Sequence, residues 1–326
     1  MIYMKNLSSF SKFAWGVLVY NIAVILWGAL VRATGSGAGC GSHWPLCDGE
    51  VIPRAPQLET IIEFTHRLTS GVAFFLVVGL LIWGYKKYGK GHQVRIGLFF
   101  SMLFMITEAL VGAGLVLFEL VGENVSIERA VVMAVHLINT LLLLASLTLT
   151  AWWSSGGTTI QLKGKGAALW ALGLGIVGML FLGASGAVTA LGDTLFPVGT
   201  INDSSALSPT AQTLISLRIF HPAIAIIVSV YLIVIVIIIR KVYKQSAVVY
   251  LSYAFTWLLI AQLGLGYLNV LLYAPIWMQL IHLFMADVVW IVLILFSANV
   301  LSQSKEASLV ETTVGHQSLT EETLVV

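Results

Sequence analysis

Eight runs of about 20 apolar residues leave this chain few ways to fold. They lie near 13–32, 61–85, 94–118, 129–153, 167–190, 213–239, 247–271 and 276–300. Each is long enough for a helix to cross the hydrocarbon core of a bilayer. Nothing reads as an alternating membrane strand, so the predicted fold class is an all-α integral membrane protein with eight transmembrane helices. The balance of residues agrees. Only 10% of the chain is charged and 58% is hydrophobic, where a soluble domain carries roughly 25% charged residues. The first run is too long for a signal-peptide core and no small-residue cleavage site follows it, so it reads as a retained anchor. From Ser302 the chain turns polar, rich in Ser, Thr and Glu, the composition of a disordered tail.

Basic residues orient the spans. With the N-terminus in the cytoplasm, the cytoplasmic segments hold 12 of the 17 Lys and Arg residues, including every lysine, and the outer side holds Arg32, Arg54, Arg67, Arg129 and Arg218. The positive-inside rule therefore predicts cytoplasmic N- and C-termini in a multi-pass protein of the cell membrane, with lipid as its surroundings. Membrane topology accounts for the net charge of +2, and no nucleic-acid partner is expected.

The outer segments carry the unusual residues. The first loop, about 33–60, contains Cys40 and Cys47, the only cysteines. On an oxidising face, a disulfide closing this loop is the natural reading and free thiols are the alternative. The loop around Gly192–Ser208 is long enough to act as a lid.

The eight spans divide into two similar sets of four. His66 opens the second span and His221 the sixth; His136 lies early in the fourth and His282 early in the eighth. Glu108-Ala-Leu-Val-Gly112 in the third span matches Gln262-Leu-Gly-Leu-Gly266 in the seventh, and Gly28–Thr34 matches Gly183–Thr189. An even number of spans per copy makes the repeat parallel, unlike the inverted repeats of many transporters. The expected arrangement is two pseudo-symmetric, parallel four-helix bundles: residues 1–155, residues 156–301, and a cytoplasmic tail, 302–326. The topology puts all four histidines toward the outer face. Two imidazoles from facing helices of one bundle are what a haem iron takes as axial ligands. Zinc fits poorly, because no third or fourth ligand stands beside either pair.

The halves differ beside their histidines. Glu63, His66 and Arg67 fall on one helical face. Ionisable groups in such a segment point to function unless they are paired, though Thr60-x-x-Glu63 also matches a helix-capping box. In the second half Arg218 takes the place of Glu63, and Pro222 follows His221. Arg67 and Arg218 suit haem propionates, and a carboxylate in one half suits proton transfer. Chemistry is therefore expected in the first half and a stable cofactor in the second. Asp287 and Glu108 each read equally as a proton group or a structural hydrogen-bonding residue.

Together these residues resemble the haem A synthase family over nearly the whole chain, the tail excepted. The resemblance rests on Thr34-Gly-Ser-Gly37, the Cys40/Cys47 loop with Trp44-Pro-Leu-Cys47, Glu63-Phe-Thr-His-Arg67 and three further histidines. It implies oxidation of the C8 methyl group of haem O to a formyl group, in two successive steps, making haem A for cytochrome oxidase. It implies His66 and His136 as ligands of the substrate haem, Glu63 as the catalytic carboxylate, and His221 with His282 as ligands of a permanent haem b. It also implies a Cys40–Cys47 disulfide. Gly41-Ser-His43 between the cysteines departs from the commoner bacterial pattern. A haem O synthase as partner and a homo-oligomer stay open, and the electron acceptor is not named by the sequence. Two other readings compete: a two-haem membrane cytochrome b for electron transfer, and a transporter with a histidine proton relay.

Overall fold

The structure, a computed structural model, describes residues 7–197 and 208–302. Among these residues it is all helical, apart from an isolated bridge between Cys47 and Glu50. The helices are α1 (Ser9–Ala33), α2 (Leu58–Lys87), α3 (Gln93–Leu117), α4 (Ile127–Ser154), α5 (Gly166–Leu195), α6 (Pro209–Leu217), α7 (Phe220–Val242), α8 (Ser246–Leu271) and α9 (Ile276–Ser302). With α6 and α7 taken as one span, eight are long and apolar enough to cross a membrane. The chain is a multi-pass membrane protein. Large apolar side chains such as Phe75, Trp170, Phe181, Ile227 and Trp257 remain exposed on the helix surfaces, the state expected where lipid is the solvent.

Local chemistry sets several helix ends. The Ser8, Ser126 and Ser208 hydroxyls accept the backbone N–H three residues on, capping α1, α4 and α6 and satisfying donors that the first turn leaves free. The sixth apolar run is divided. Pro222 has no N–H to give to the carbonyl of Arg218, and its ring crowds that carbonyl. A new helix therefore starts at Phe220, with the proline in its first turn, where it is tolerated.

Two starting points differ from the sequence reading. Helix α2 begins at Leu58 with Gln57 at its N-cap, so Thr60 lies inside the first turn and the Thr60/Glu63 capping box does not form. Helix α5 continues to Leu195, shortening the loop read as a lid. Residues 198–207 of that loop, and the tail from 303, lie outside the described residues.

In the first half, α1 packs against α2 and α4, and α3 against α2 and α4; in the second, α5 meets α7 and α9, and α8 meets α7 and α9. Contacts between halves run through α1 and α4 on one side and α5 and α9 on the other. Helices α4 and α9 are the most deeply buried spans. Their seam is pinned by Trp290, whose fully buried ring donates its Nε1–H to the Leu141 carbonyl at 2.7 Å. Near the end of α1, Arg32 joins that helix to α5 and α9. It donates to the Ala190 carbonyl and Thr194 hydroxyl of α5, both at 2.6 Å, and to Gln279 Oε1 of α9 at 2.9 Å.

Candidate functional site

All four sequence-selected histidines lie at helix–helix contacts, each against a glycine of the neighbouring span. A Cβ on Gly28 of α1 would stand 2.9 Å from Cε1 of His66; on Gly186 of α5, 3.1 Å from Cε1 of His221; on Gly266 of α8, 3.0 Å from Cε1 of His282. At Gly112 of α3 the gap to His136 Cε1 is a looser 3.9 Å. The glycines leave the width of an imidazole between two helix backbones. Gly112 and Gly266 are equivalent positions, as the repeat implies. In helix five the functional counterpart of Gly28 is Gly186, one turn beyond Gly183, which instead abuts Leu141. His66 on α2 and His136 on α4 belong to one half, and His221 on α7 and His282 on α9 to the other. The four thus form two pairs, one per half.

The ring nitrogens are unequally engaged. Nδ1 of His66, His136 and His282 is buried and has no hydrogen-bond partner among the described residues. Nδ1 of His221 lies 2.9 Å from the Ser185 hydroxyl, which gives its own hydrogen to the Leu182 carbonyl at 2.8 Å. A hydroxyl that gives its hydrogen to Leu182 accepts from Nδ1 of His221, and in that tautomer Nε2 keeps a bare lone pair. Ser185 was not singled out from the sequence. Its one signal is its place beside Gly186 on the helix facing His221. Gln262 approaches His282 in the second half, its amide 3.4 Å from Nε2 and 3.2 Å from the backbone carbonyl.

Glu63 is 3% exposed and held on both oxygens. The backbone N–H of Cys40 donates to Oε2 at 2.8 Å, and Arg67 donates to Oε1 through Nε at 3.1 Å and Nη2 at 2.5 Å. The remaining Arg67 nitrogen, Nη1, reaches the carbonyls of His43 and Leu46 at 2.5 and 2.6 Å. The outer loop is therefore strapped to α2 through these two side chains. Cys40 and Cys47 form a disulfide with an S–S distance of 2.00 Å. Gly39 lies so close to the Glu59–Thr60 peptide that a Cβ there would fall within 2.7 Å of it. Only glycine permits that approach.

Arg218, the counterpart of Glu63, also holds protein groups. Its Nη2 donates to the carbonyls of Gly192 and Phe196, and its Nε lies 3.3 Å from Asp193 Oδ1. Asp287 is fully buried in α9, with neither oxygen hydrogen-bonded among the described residues.

Two histidines in each half, each set against a glycine of a neighbouring helix, make a donor set of the kind that haem iron takes. The family comparison decides the membership. The model of the cytochrome oxidase assembly protein family matches residues 11–294. The chain belongs to the haem A synthase family. A haem A synthase from Exiguobacterium sp. (strain ATCC BAA-1283 / AT1b) is 33% identical over 196 residues, covering 60% of this chain and 62% of that protein. One from Halalkalibacterium halodurans is 45% identical over 97 residues, 30% of this chain and 33% of that protein. A Thermus thermophilus protein named protoheme IX farnesyltransferase is 50% identical over 298 residues. That match takes in 91% of this chain but only 49% of the Thermus protein, so the chain spans about half the length of that relative.

Proposed function

We propose that this member of the haem A synthase family oxidises the C8 methyl group of haem O to a formyl group, making haem A for cytochrome oxidase. The methyl is taken first to a hydroxymethyl group and then to a geminal diol, which loses water; counted with water, each oxidation adds one H2O and passes two electrons and two protons to an acceptor outside the chain. The observation that carries the reading is an asymmetry within a repeat. Both halves hold a histidine pair set against glycines, but three residues before the opening histidine the first has Glu63, strapped beneath a disulfide-closed loop, where the second has Arg218.

In this reading the halves are two parallel four-helix bundles, residues 1–155 and 156–301, with both termini cytoplasmic and the histidines toward the outer face of the cell membrane. His66 and His136 hold the substrate haem. Glu63 is the catalytic carboxylate, kept in place by the Cys40 amide and Arg67 so that a proton can be taken up or released at a fixed position. His221 and His282 hold a permanent haem b, which supplies one-electron transfer when bound. Ser185 keeps Nε2 of His221 free for that role. Arg67 and Arg218 suit propionates in charge, and both already hold loop carbonyls; they serve the haems chiefly by fixing the backbone around them.

The Thermus relative supports the choice of substrate. Its name describes farnesyl transfer to protohaem, and a region resembling this chain makes up about half of it. A farnesylated haem is then the compound that this half would receive, and a haem O synthase is the partner that would deliver it. Because the similarity leaves half of that protein unmatched, the transferase activity itself is not carried over.

Supplying haem O to the purified protein and chromatographing the extracted pigments tests the reading. Haem A appearing only when haem O is given supports it. Two tightly held haem B groups with haem O unchanged would instead favour the electron-transfer cytochrome suggested by the symmetry of the histidine pairs.

A further inference from the structure

We propose that Glu108 is a positioning residue for His136, and that its replacement by Gln262 in the second half makes the two histidine pairs electronically unequal. The proposal rests on the reading of His136 as a haem ligand.

Glu108 lies one turn before Gly112 on α3, in the midst of apolar sequence, yet it is anchored from α4. Thr140 donates to Oε1 and the Asn139 amide to Oε2, both at 2.5 Å. Asn139 is fixed in turn, donating to the Phe104 carbonyl at 2.9 Å and accepting from the Thr107 hydroxyl at 2.6 Å. Each member of this chain therefore holds the next, and the carboxylate has little freedom to turn away. From that position Oε1 stands 3.6 Å from Nδ1 of His136. This nitrogen is buried with no hydrogen-bond partner among the described residues. The separation lies just beyond a hydrogen bond, and a shift of about half an ångström closes it.

An acceptor at Nδ1 keeps the hydrogen on that nitrogen and leaves Nε2 bare. A charged acceptor also makes the imidazole a stronger donor, as carboxylates do for metal-bound histidines. Packing alone does not require a charge here. An amide has the same shape without the desolvation cost of a carboxylate, and the repeat places one, Gln262, at the equivalent sequence position, where its amide lies 3.4 Å from Nε2 of His282 and donates to that residue's carbonyl, leaving Nδ1 without a partner among the described residues. The first half thus keeps a negative charge beside Nδ1 of its ligand, where Nδ1 of His282 in the second half has no acceptor among the described residues. This difference suits a site that must bind and oxidise a haem, set against one that only carries electrons.

The test uses the full-length protein and measures the midpoint potential and axial-ligand vibrational signature of each haem, with haem O affinity alongside. Glu108→Gln should raise the first-half potential, weaken the iron–histidine signature and lower haem O affinity about 10- to 100-fold, leaving haem b unchanged. Glu108→Asp should restore part of the shift. Glu108→Asp, which withdraws the carboxylate from Nδ1, carries the test if Glu108→Gln does not fold. Unchanged potential and vibrational signature in folded Glu108→Gln, or in Glu108→Asp should the glutamine variant not fold, would overturn the proposal. His136→Ala separates the two claims. Loss of the first-half haem in that variant keeps the ligand reading whatever Glu108 does; retention of that haem with its spectrum unchanged removes the reading and the proposal together.

Discussion

The backbone N–H of Cys40 donates to the Glu63 carboxylate at 2.8 Å, joining the disulfide loop directly to the acid of α2. Opening the Cys40–Cys47 bridge frees the loop carrying that donor. Cys40→Ser with Cys47→Ser should lower stability by roughly 2–3 kcal/mol, from the added freedom of the unfolded loop. It should also reduce haem A formation while haem b content holds. Thermal unfolding and pigment extraction on the same preparation check both outcomes.

Arg67 is the other half of that strap. Its guanidinium serves Glu63 and two loop carbonyls at once. Arg67→Ala leaves a buried carboxylate with one donor and should cost about 3–5 kcal/mol. Lysine keeps the charge but lacks the planar fork, so Arg67→Lys should recover only part of the loss. Equal stability of Arg67→Lys and the parent in a denaturant titration would count against the strap.

The glycines beside the histidines make a graded prediction. Alanine at Gly28, Gly186 or Gly266 sets a methyl about 3 Å from an imidazole, against 3.9 Å at Gly112. Gly186→Ala and Gly266→Ala should lower haem b occupancy, and Gly28→Ala should impair haem O binding. Gly112→Ala should be close to neutral. Haem-to-protein ratios across the four variants check this order.

Ser185 bears on one ligand alone. Ser185→Ala removes the acceptor for His221 Nδ1 and should weaken haem b retention about 10- to 100-fold. The low-spin spectrum should shift without change to first-half binding. Difference spectroscopy during haem titration measures both.

Much of this arrangement could be read from the chain. The eight spans follow from runs of apolar residues, and the paired histidines from their recurrence at matching places. The equivalence of Glu108 and Gln262 also came from spacing, and the structure puts both beside histidines. Other features depend on contacts that no local pattern records. Thr60-x-x-Glu63 looks like a capping box, yet the helix starts earlier with Gln57 at its N-cap, and Glu63 finds its donor 23 residues back in the loop. Arg32 looked like one more outer-face cation. Its three acceptors lie on α5 and α9, more than 150 residues away, so only the assembled seam reveals it. Pro222 stood in plain view, but the run around it is apolar enough to hide the break at Arg218–Ile219.

The most direct measurement is pigment extraction from Glu63→Gln after incubation with haem O. Loss of haem A, with haem b still bound and haem O recovered unchanged, is the predicted result, because the substitution removes the carboxylate and leaves every proposed ligand in place. A normal yield of haem A from that variant would contradict the assignment of chemistry to the first half.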